Sequence, residues 1–171
     1  MNQLRIIHQI LKTPFGELTI LVNESKPVTV VGAGFGTTHE LINRVKVTRP
    51  KIAVATGKLP KEITTAVASW LDGDHHAFAK ISLDQIGTDF RQECWQAMRQ
   101  IKPGQPISYS QLAQQTSSPT AVRAAATACA QNLIAPLIPC HRIIKTDGSL
   151  GRYGYGEPIK QQLLAFEGVS F

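Results

Sequence analysis

The chain is 171 residues long, 43% hydrophobic and 18% charged, a composition that suits one folded domain or two small ones and excludes a disordered or low-complexity polymer. Its three cysteines, an odd number with no CxxC pair, argue against a disulfide framework and a cysteine-rich zinc site and favour a reducing compartment. The net charge of +6 suits a polyanionic partner, but ten basic and seven acidic groups in residues 1–85, against eight and five in 86–171, leave the same excess in each half and locate no binding face.

Arg5, His8 and Lys12 interrupt the only early apolar run, so neither a signal peptide nor a membrane span is expected, and the reading is cytoplasmic, or nuclear in a eukaryote. Leu4 to Leu11, Leu18 to Val22 and Val28 to Phe35 are apolar and β-branched, with Thr13-Pro14-Phe15-Gly16 as a turn. They predict a small antiparallel sheet. Gly32, Gly34 and Gly36 lack the spacing of a dinucleotide fingerprint and point to a bulge or strand end. Between Pro60 and Gly73, the residues Ile63, Val67, Trp70 and Leu71 fall at helical spacing. The two acids and two histidines of Asp72-Gly73-Asp74-His75-His76 have nothing nearby to complete a metal site and read as a solvated loop. Residues 77–87 read as extended and connecting.

From Thr88 the pattern becomes helical. Phe90, Cys94, Trp95, Met98 and Ile101 make one apolar face that ends at Lys102-Pro103-Gly104. Ser108-Tyr109-Ser110-Gln111 has the capping-box spacing and predicts a short helix to about Gln115. After Thr116-Ser117-Ser118, Pro119 suits a first helical position, and an alanine-rich helix is expected to about Asn132. Two short helices joined by a polar turn make a helix-turn-helix candidate. In the second, six alanines between Ala121 and Ala130 surround one long basic residue, Arg123; such a helix can approach closely either a neighbouring helix or a nucleic-acid groove. A last helix starts near Glu157-Pro158, turns Ile159, Leu163 and Leu164 inward, and ends at Glu167-Gly168. The expected division is an N-terminal domain over 1–80, a connection over 81–87 and a C-terminal domain over 88–171.

Chemistry concentrates in Ile138-Pro139-Cys140-His141-Arg142. The thiolate is the nucleophile, and an ordinary thiol of pKa ~8.5 is only slightly ionised at neutral pH, so a working one needs a proton acceptor. If Pro139 holds the segment extended, Cys140 and His141 point to opposite faces, and a water must carry the proton between them. Taken alone, the pentapeptide reads more readily as a small buried cysteine beside a satisfied histidine.

Taken together, Ile107-Ser108-Tyr109-Ser110-Gln111-Leu112-Ala113, then Ala121-Val122-Arg123-Ala124, Asn132, the pentapeptide with Ile143-Ile144, and finally Tyr153, Lys160, Leu163-Leu164 and Glu167-Gly168, resemble in order and spacing the O6-alkylguanine-DNA alkyltransferase family. Gly87-Thr88-Asp89-Phe90-Arg91 with Trp95 is similar to that family's entry into its C-terminal domain, so the resemblance covers about residues 87–168. It implies an α+β protein with an N-terminal α/β domain built on a small ribonuclease-H-like antiparallel sheet. The C-terminal domain would be mostly helical and winged-helix-like, with the helix-turn-helix.

The resemblance also implies direct-reversal DNA repair: one irreversible, stoichiometric transfer of the alkyl group from guanine O6 to Cys140, with no cofactor and no metal. Some relatives hold a structural zinc through N-terminal cysteine and histidine residues, and here no cysteine precedes Cys94. The partner is double-stranded DNA containing O6-alkylguanine, with neighbouring copies of the protein on DNA as a second. His141 is implied as base through a bound water, Glu167 as the group that holds and polarises it, and Asn132 as a brace of the turn before the cysteine. Tyr109 is implied to donate to the departing guanine and help rotate the nucleotide. Arg123 would fill the gap left by the flipped base from a helix in the minor groove, with Ser110, Ser118 and Ala121 also at the DNA. Pro139, Ile143, Tyr153, Gly154 and Tyr155 would line the base pocket. Three departures stand out: alanines follow Arg123 where glycine is common, Leu133 follows Asn132 where proline is common, and Tyr155 is expected to narrow the pocket against bulky adducts. The alternatives are a damage-binding protein without an acceptor cysteine, a cysteine hydrolase whose histidine comes from elsewhere in the fold, and a helix-turn-helix regulator.

Overall fold

A computed structural model of the chain describes residues 3–171. It is a mixed α+β protein of two compact units: the chain up to Gln85 with Leu133–Ala135, and Ile86–Asn132 with Pro136–Phe171.

In the first unit, strands β1 (Arg5–Thr13), β2 (Gly16–Asn23), β3 (Thr29–Gly34), β4 (Ala53–Thr56) and β5 (Ser82–Leu83) form one five-stranded sheet in the order β4-β1-β2-β3-β5. The three strands legible in the sequence pair antiparallel, as expected, but β4 and β5 join in parallel at the edges. The sheet is therefore mixed. These edge strands are 4 and 2 residues long, too short to show a period of their own. The glycine-rich third strand carries the expected bulge, with Leu21 opposite Gly32 but Val22 opposite Val30.

Helix α1 (Thr38–Thr48) buries only Leu41 and Val45, a stripe too thin to announce itself. Its start is fixed by Thr37, whose Oγ1 accepts from the Glu40 amide at 3.2 Å in a Thr-x-x-Glu sequence. Helix α2 (Lys61–Leu71) buries Ile63, Val67 and Trp70 as its spacing requires. The following residues were expected to run extended, but they turn repeatedly through Lys80 before β5. Ala77 and Ala79 donate to the Asp74 and His76 carbonyls at 3.1 and 3.0 Å, so local turns satisfy their backbone groups. Ile134 bridges in parallel to Ala33. Among the described residues, no helix is long and apolar enough to cross a membrane.

The second unit comprises α3 (Asp89–Gln100), β6 (Ile107–Ser108), α4 (Tyr109–Gln114), α5 (Val122–Ala130), β7 (Ile143–Ile144) and α6 (Glu157–Phe166). The capping box is formed: Ser108 Oγ accepts from the Gln111 amide at 3.1 Å, and the Gln111 side chain accepts from the Ser108 amide at 2.8 Å. β6 and β7 pair in parallel, Ile107 opposite Ile143, so the segment after Cys140 is fastened to the strand that leads into α4. Helix α5 starts later than predicted. Pro119 is the second residue of a turn in which the Ala121 amide donates to the Ser118 carbonyl at 3.0 Å, because the fixed φ of proline serves that position as well as a first helical one. The helix also stops sooner, with Gln131 at its C-cap. That leaves the Asn132 side chain for other work.

Candidate active site

The Pro139–His141 segment is not extended. Cys140–Arg142 is one turn of 3-10 helix, with the Arg142 amide donating to the Pro139 carbonyl at 3.0 Å. Proline fixes φ but leaves ψ free, and at Pro139 ψ is 64°. A turn of this kind satisfies backbone groups that burial has removed from water.

Cys140 is 8% exposed. The Asn132 side-chain amide donates from Nδ2 both to the Ile138 carbonyl at 2.9 Å and to Cys140 Sγ at 3.2 Å, bracing the turn and placing a donor on the sulfur. His141 is buried, with Nε2 3.0 Å from Glu167 Oε1. That carboxylate also accepts from Arg142 Nε at 3.1 and 3.0 Å and from Nη2 at 2.7 Å. The remaining arm of the guanidinium, Nη1, donates to the Ile101 carbonyl at 2.7 Å. Burial raises the Glu167 carboxyl, but the bonds from His141 and Arg142 outweigh it and bring the group down to about 2.

Glu167 is therefore an anion that can only accept. It follows that Nε2 of a neutral His141 carries the proton and Nδ1 is the free base. Burial holds the imidazole below its ordinary value against the pull of Glu167, which keeps it neutral. Nδ1 is buried without a hydrogen-bond partner in the protein, so it can receive a proton.

Glu167 owes its position to backbone geometry. It is the C-cap of α6, its amide donating to the Leu163 and Leu164 carbonyls at 3.2 and 3.0 Å. Its carbonyl lies against Gly104, where φ is +77° and an added Cβ would stand 2.8 Å from that oxygen. The Lys102-Pro103-Gly104 stop that ends the α3 pattern is thus a seat for the acid.

Around this centre, burial raises the Tyr109 hydroxyl to about 12, with further contributions from Cys129 and Cys140. Tyr109 is a neutral phenol at physiological pH. Lys160 is fully buried. Its Nζ donates to the Ile143 carbonyl at 2.6 Å and the Arg152 carbonyl at 3.3 Å, and it stands 6.0 Å from the centroid of the Tyr109 ring. Ile143 is buried, and its amide donates to the Cys140 carbonyl. Pro139 is buried at the head of the turn. The Tyr153 hydroxyl is buried without a partner, and its ring meets that of Tyr155 edge-on at 5.5 Å. Gly154 between them is exposed.

On α5 the reading of an alanine helix packed against its neighbours holds for one face, and the other is open to solvent. Ala125 and Ala128 are buried, whereas Arg123, Ala124, Ala126 and Thr127 are exposed. Ser118 is exposed and Ala121 half-buried; Ser110 is half-buried, with Oγ 3.4 Å from Thr146 Oγ1.

Two buried cations escape a reading of single positions. Arg142 stands inside the pentapeptide but takes its partner 25 residues away. Lys160 precedes Leu163 and Leu164 by three and four residues, the spacing of the buried stripe, and that signal could have found it. Among the described residues, no group of three or more His, Cys, Asp or Glu could hold a metal.

Comparison with known proteins agrees with this geometry. The family model for the 6-O-methylguanine DNA methyltransferase DNA binding domain matches residues 89–169. The transcriptional activator and DNA repair enzyme Ada of Escherichia coli is 49% identical over 87 residues, covering 51% of this chain, which spans only 25% of Ada. A methylated-DNA–protein-cysteine methyltransferase of Salmonella typhimurium is 31% identical over 176 residues, 96% of this chain and 97% of that protein. The crystal structure of the Mycobacterium tuberculosis O6-methylguanine methyltransferase superposes with a TM-score of 0.76 at 28% identity, covering 95% of this chain and 92% of that one. A relative matched along almost its whole length, and a family model that spans the Cys140, His141 and Glu167 network, place this chain in the methylated-DNA–protein-cysteine methyltransferase family.

Proposed function

We propose that the protein repairs DNA by direct reversal, moving the alkyl group of O6-alkylguanine in double-stranded DNA irreversibly onto Cys140. The observation that carries this reading is the Glu167–His141 pair with a free Nδ1, beside a sulfur held by Asn132.

The thiol proton passes through one water to His141 Nδ1, leaving the thiolate; Glu167 stabilises the imidazolium that forms. Sγ then attacks the alkyl carbon, the S–C bond forms as the C–O6 bond breaks, and the electron pair leaves on guanine. Tyr109, kept protonated by burial, donates toward the departing base. Guanine O6 inside a duplex is out of reach of a buried thiol, so the nucleotide must be flipped out. Arg123, exposed on the small-sided face of α5, fills the gap from the minor groove, with Ser110, Ser118 and Ala121 also at the DNA. Pro139, Ile143, Tyr153, Gly154 and Tyr155 are assigned to the base pocket. The thioether has no leaving path here, so each molecule acts once, without cofactor or metal. A location with the DNA, cytoplasmic or nuclear, follows from this role.

The test is to mix the protein with duplex DNA carrying radiolabelled O6-methylguanine and locate the label by peptide mass mapping, beside Cys140→Ala. One methyl per protein, on the Cys140 peptide and absent from the variant, is expected. Binding of the lesion without acceptance would transfer support to a damage-binding protein, and repeated turnover would transfer it to a hydrolase.

A further inference from the structure

Helix α3 takes no part in the chemistry, yet it reaches the helix-turn-helix at two points. Trp95 Nε1 donates to the Ala128 carbonyl on α5 at 2.9 Å. Two residues earlier, the Glu93 carboxylate accepts from the Ser117 amide at 2.6 Å and from the Ser117 hydroxyl at 2.7 Å. Ser117 stands in the turn between α4 and α5. Its neighbours are tied within the turn: Thr116 Oγ1 donates to the Ala113 carbonyl at 2.7 Å and accepts from the Ser118 amide at 3.2 Å. Glu93 thus supplies an anchor from outside the turn, with one oxygen for each donor of Ser117.

We propose that Glu93 is a positioning residue for DNA engagement: by occupying both donors of Ser117 it fixes the turn that sets the direction of α5 and the placement of Arg123. This rests on the reading of α5 as the DNA-facing helix. The lowered Glu93 carboxyl, owed first to the Ser117 amide and then to its hydroxyl, agrees with an anchor that stays ionised.

The proposal predicts a sign opposite to simple electrostatics. An exposed acid on a DNA-binding module repels phosphate, and its removal should tighten binding. An acid that holds the recognition turn should weaken binding when removed, although net positive charge increases.

Glu93→Ala, Glu93→Gln and Ser117→Ala are to be compared with the natural protein in three assays: affinity for unmodified duplex, methyl transfer from O6-methylguanine in duplex, and methyl transfer from the free base O6-methylguanine. Glu93→Ala is expected to lose about fivefold or more in affinity and in the duplex rate, while the free-base rate stays within about twofold, since hydrogen bonds to a charged group carry effects of that order. Glu93→Gln keeps one accepting oxygen and should fall between, as should Ser117→Ala, which keeps the amide donor. An unchanged free-base rate also reports an intact fold. Equal or tighter duplex binding by Glu93→Ala overturns the proposal, as does a parallel loss in both transfer assays. If the natural protein transfers no methyl from either substrate, the repair reading fails; duplex affinity still decides the role of Glu93.

Discussion

Replacing Glu167 by glutamine removes one charge from a buried group of three. The Glu167 and Arg142 side chains are 2% and 9% exposed, so solvent does little to screen the change. The fall of the carboxyl from its ordinary 4.5 to about 2 corresponds to about 3 kcal/mol in favour of the ionised form in the folded protein. Removing one partner of a buried ion pair costs about 3–5 kcal/mol on general grounds, and the two routes agree. Because the folded value is depressed, this stability is fully present above the unfolded carboxyl value and is lost as pH falls through the folded one, between about pH 4.5 and pH 2. Glu167→Gln is therefore expected to be about 3 kcal/mol less stable at pH 7, with the difference shrinking to less than half of that near pH 3. The assay is urea denaturation at several pH values, followed by Trp95 fluorescence in a Trp70→Phe background so that the signal reports the second unit. A difference under about 1 kcal/mol at pH 7, or one that does not shrink in acid, would refute the account of the Arg142–Glu167–His141 group.

Asn132→Ala removes the donor to Cys140 Sγ and to the Ile138 carbonyl; the single-turnover rate of methyl transfer should fall about tenfold or more, as for a hydrogen bond to a developing charge. Lys160→Met keeps most of the side chain's length but strips the Ile143 carbonyl of a buried partner, and an unfolding free energy lowered by about 1–3 kcal/mol in urea denaturation is expected. Gly104→Ala combines a positive φ with a Cβ 2.8 Å from the Glu167 carbonyl oxygen. It should cost about 1–3 kcal/mol of stability and also slow methyl transfer, whereas Gly148→Ala, also at positive φ but with open space around the added Cβ, should lose stability and leave the rate unchanged.

How much could be read beforehand depended on the range of the interaction. Periods and caps are local, so β1 to β3, α2, α3, the Ser108 box and the glycine stop of α6 follow from neighbouring residues. What escaped was set at a distance or by too few residues: β4 and β5 are defined by a partner strand, and α1 has two buried side chains. Pro119 satisfied two local conformations equally, and the turn around it won. The resemblance singled out Cys140, His141, Asn132 and Glu167 as a set, but the roles of Arg142 and Lys160 come from bonds to carbonyls and a carboxylate remote in the chain. The expected extended cysteine segment failed because proline constrains only one of its two backbone angles. Even so, the 3-10 turn leaves His141 Nδ1 without a protein bond, which is the acceptor that the proposed relay through water needs.

The excursion of Leu133–Ala135 into the first sheet bears on how the protein can be divided. Asn132 ends the run after α5, the next three residues hydrogen-bond and pack with the first unit, Ala33 donating to Leu133 at 2.7 Å and accepting from Ala135 at 3.0 Å, and the chain resumes the second unit at Pro136. A gene cut after Gln85 would therefore not yield two self-sufficient halves: the N-terminal fragment would leave β3 unpaired where Ile134 belongs, and the C-terminal fragment would carry three apolar residues with no seat, only a few positions before the reactive cysteine. Split versions mixed in the same tube should recover structure in each other's presence, making this short strap a natural handle for fragment complementation.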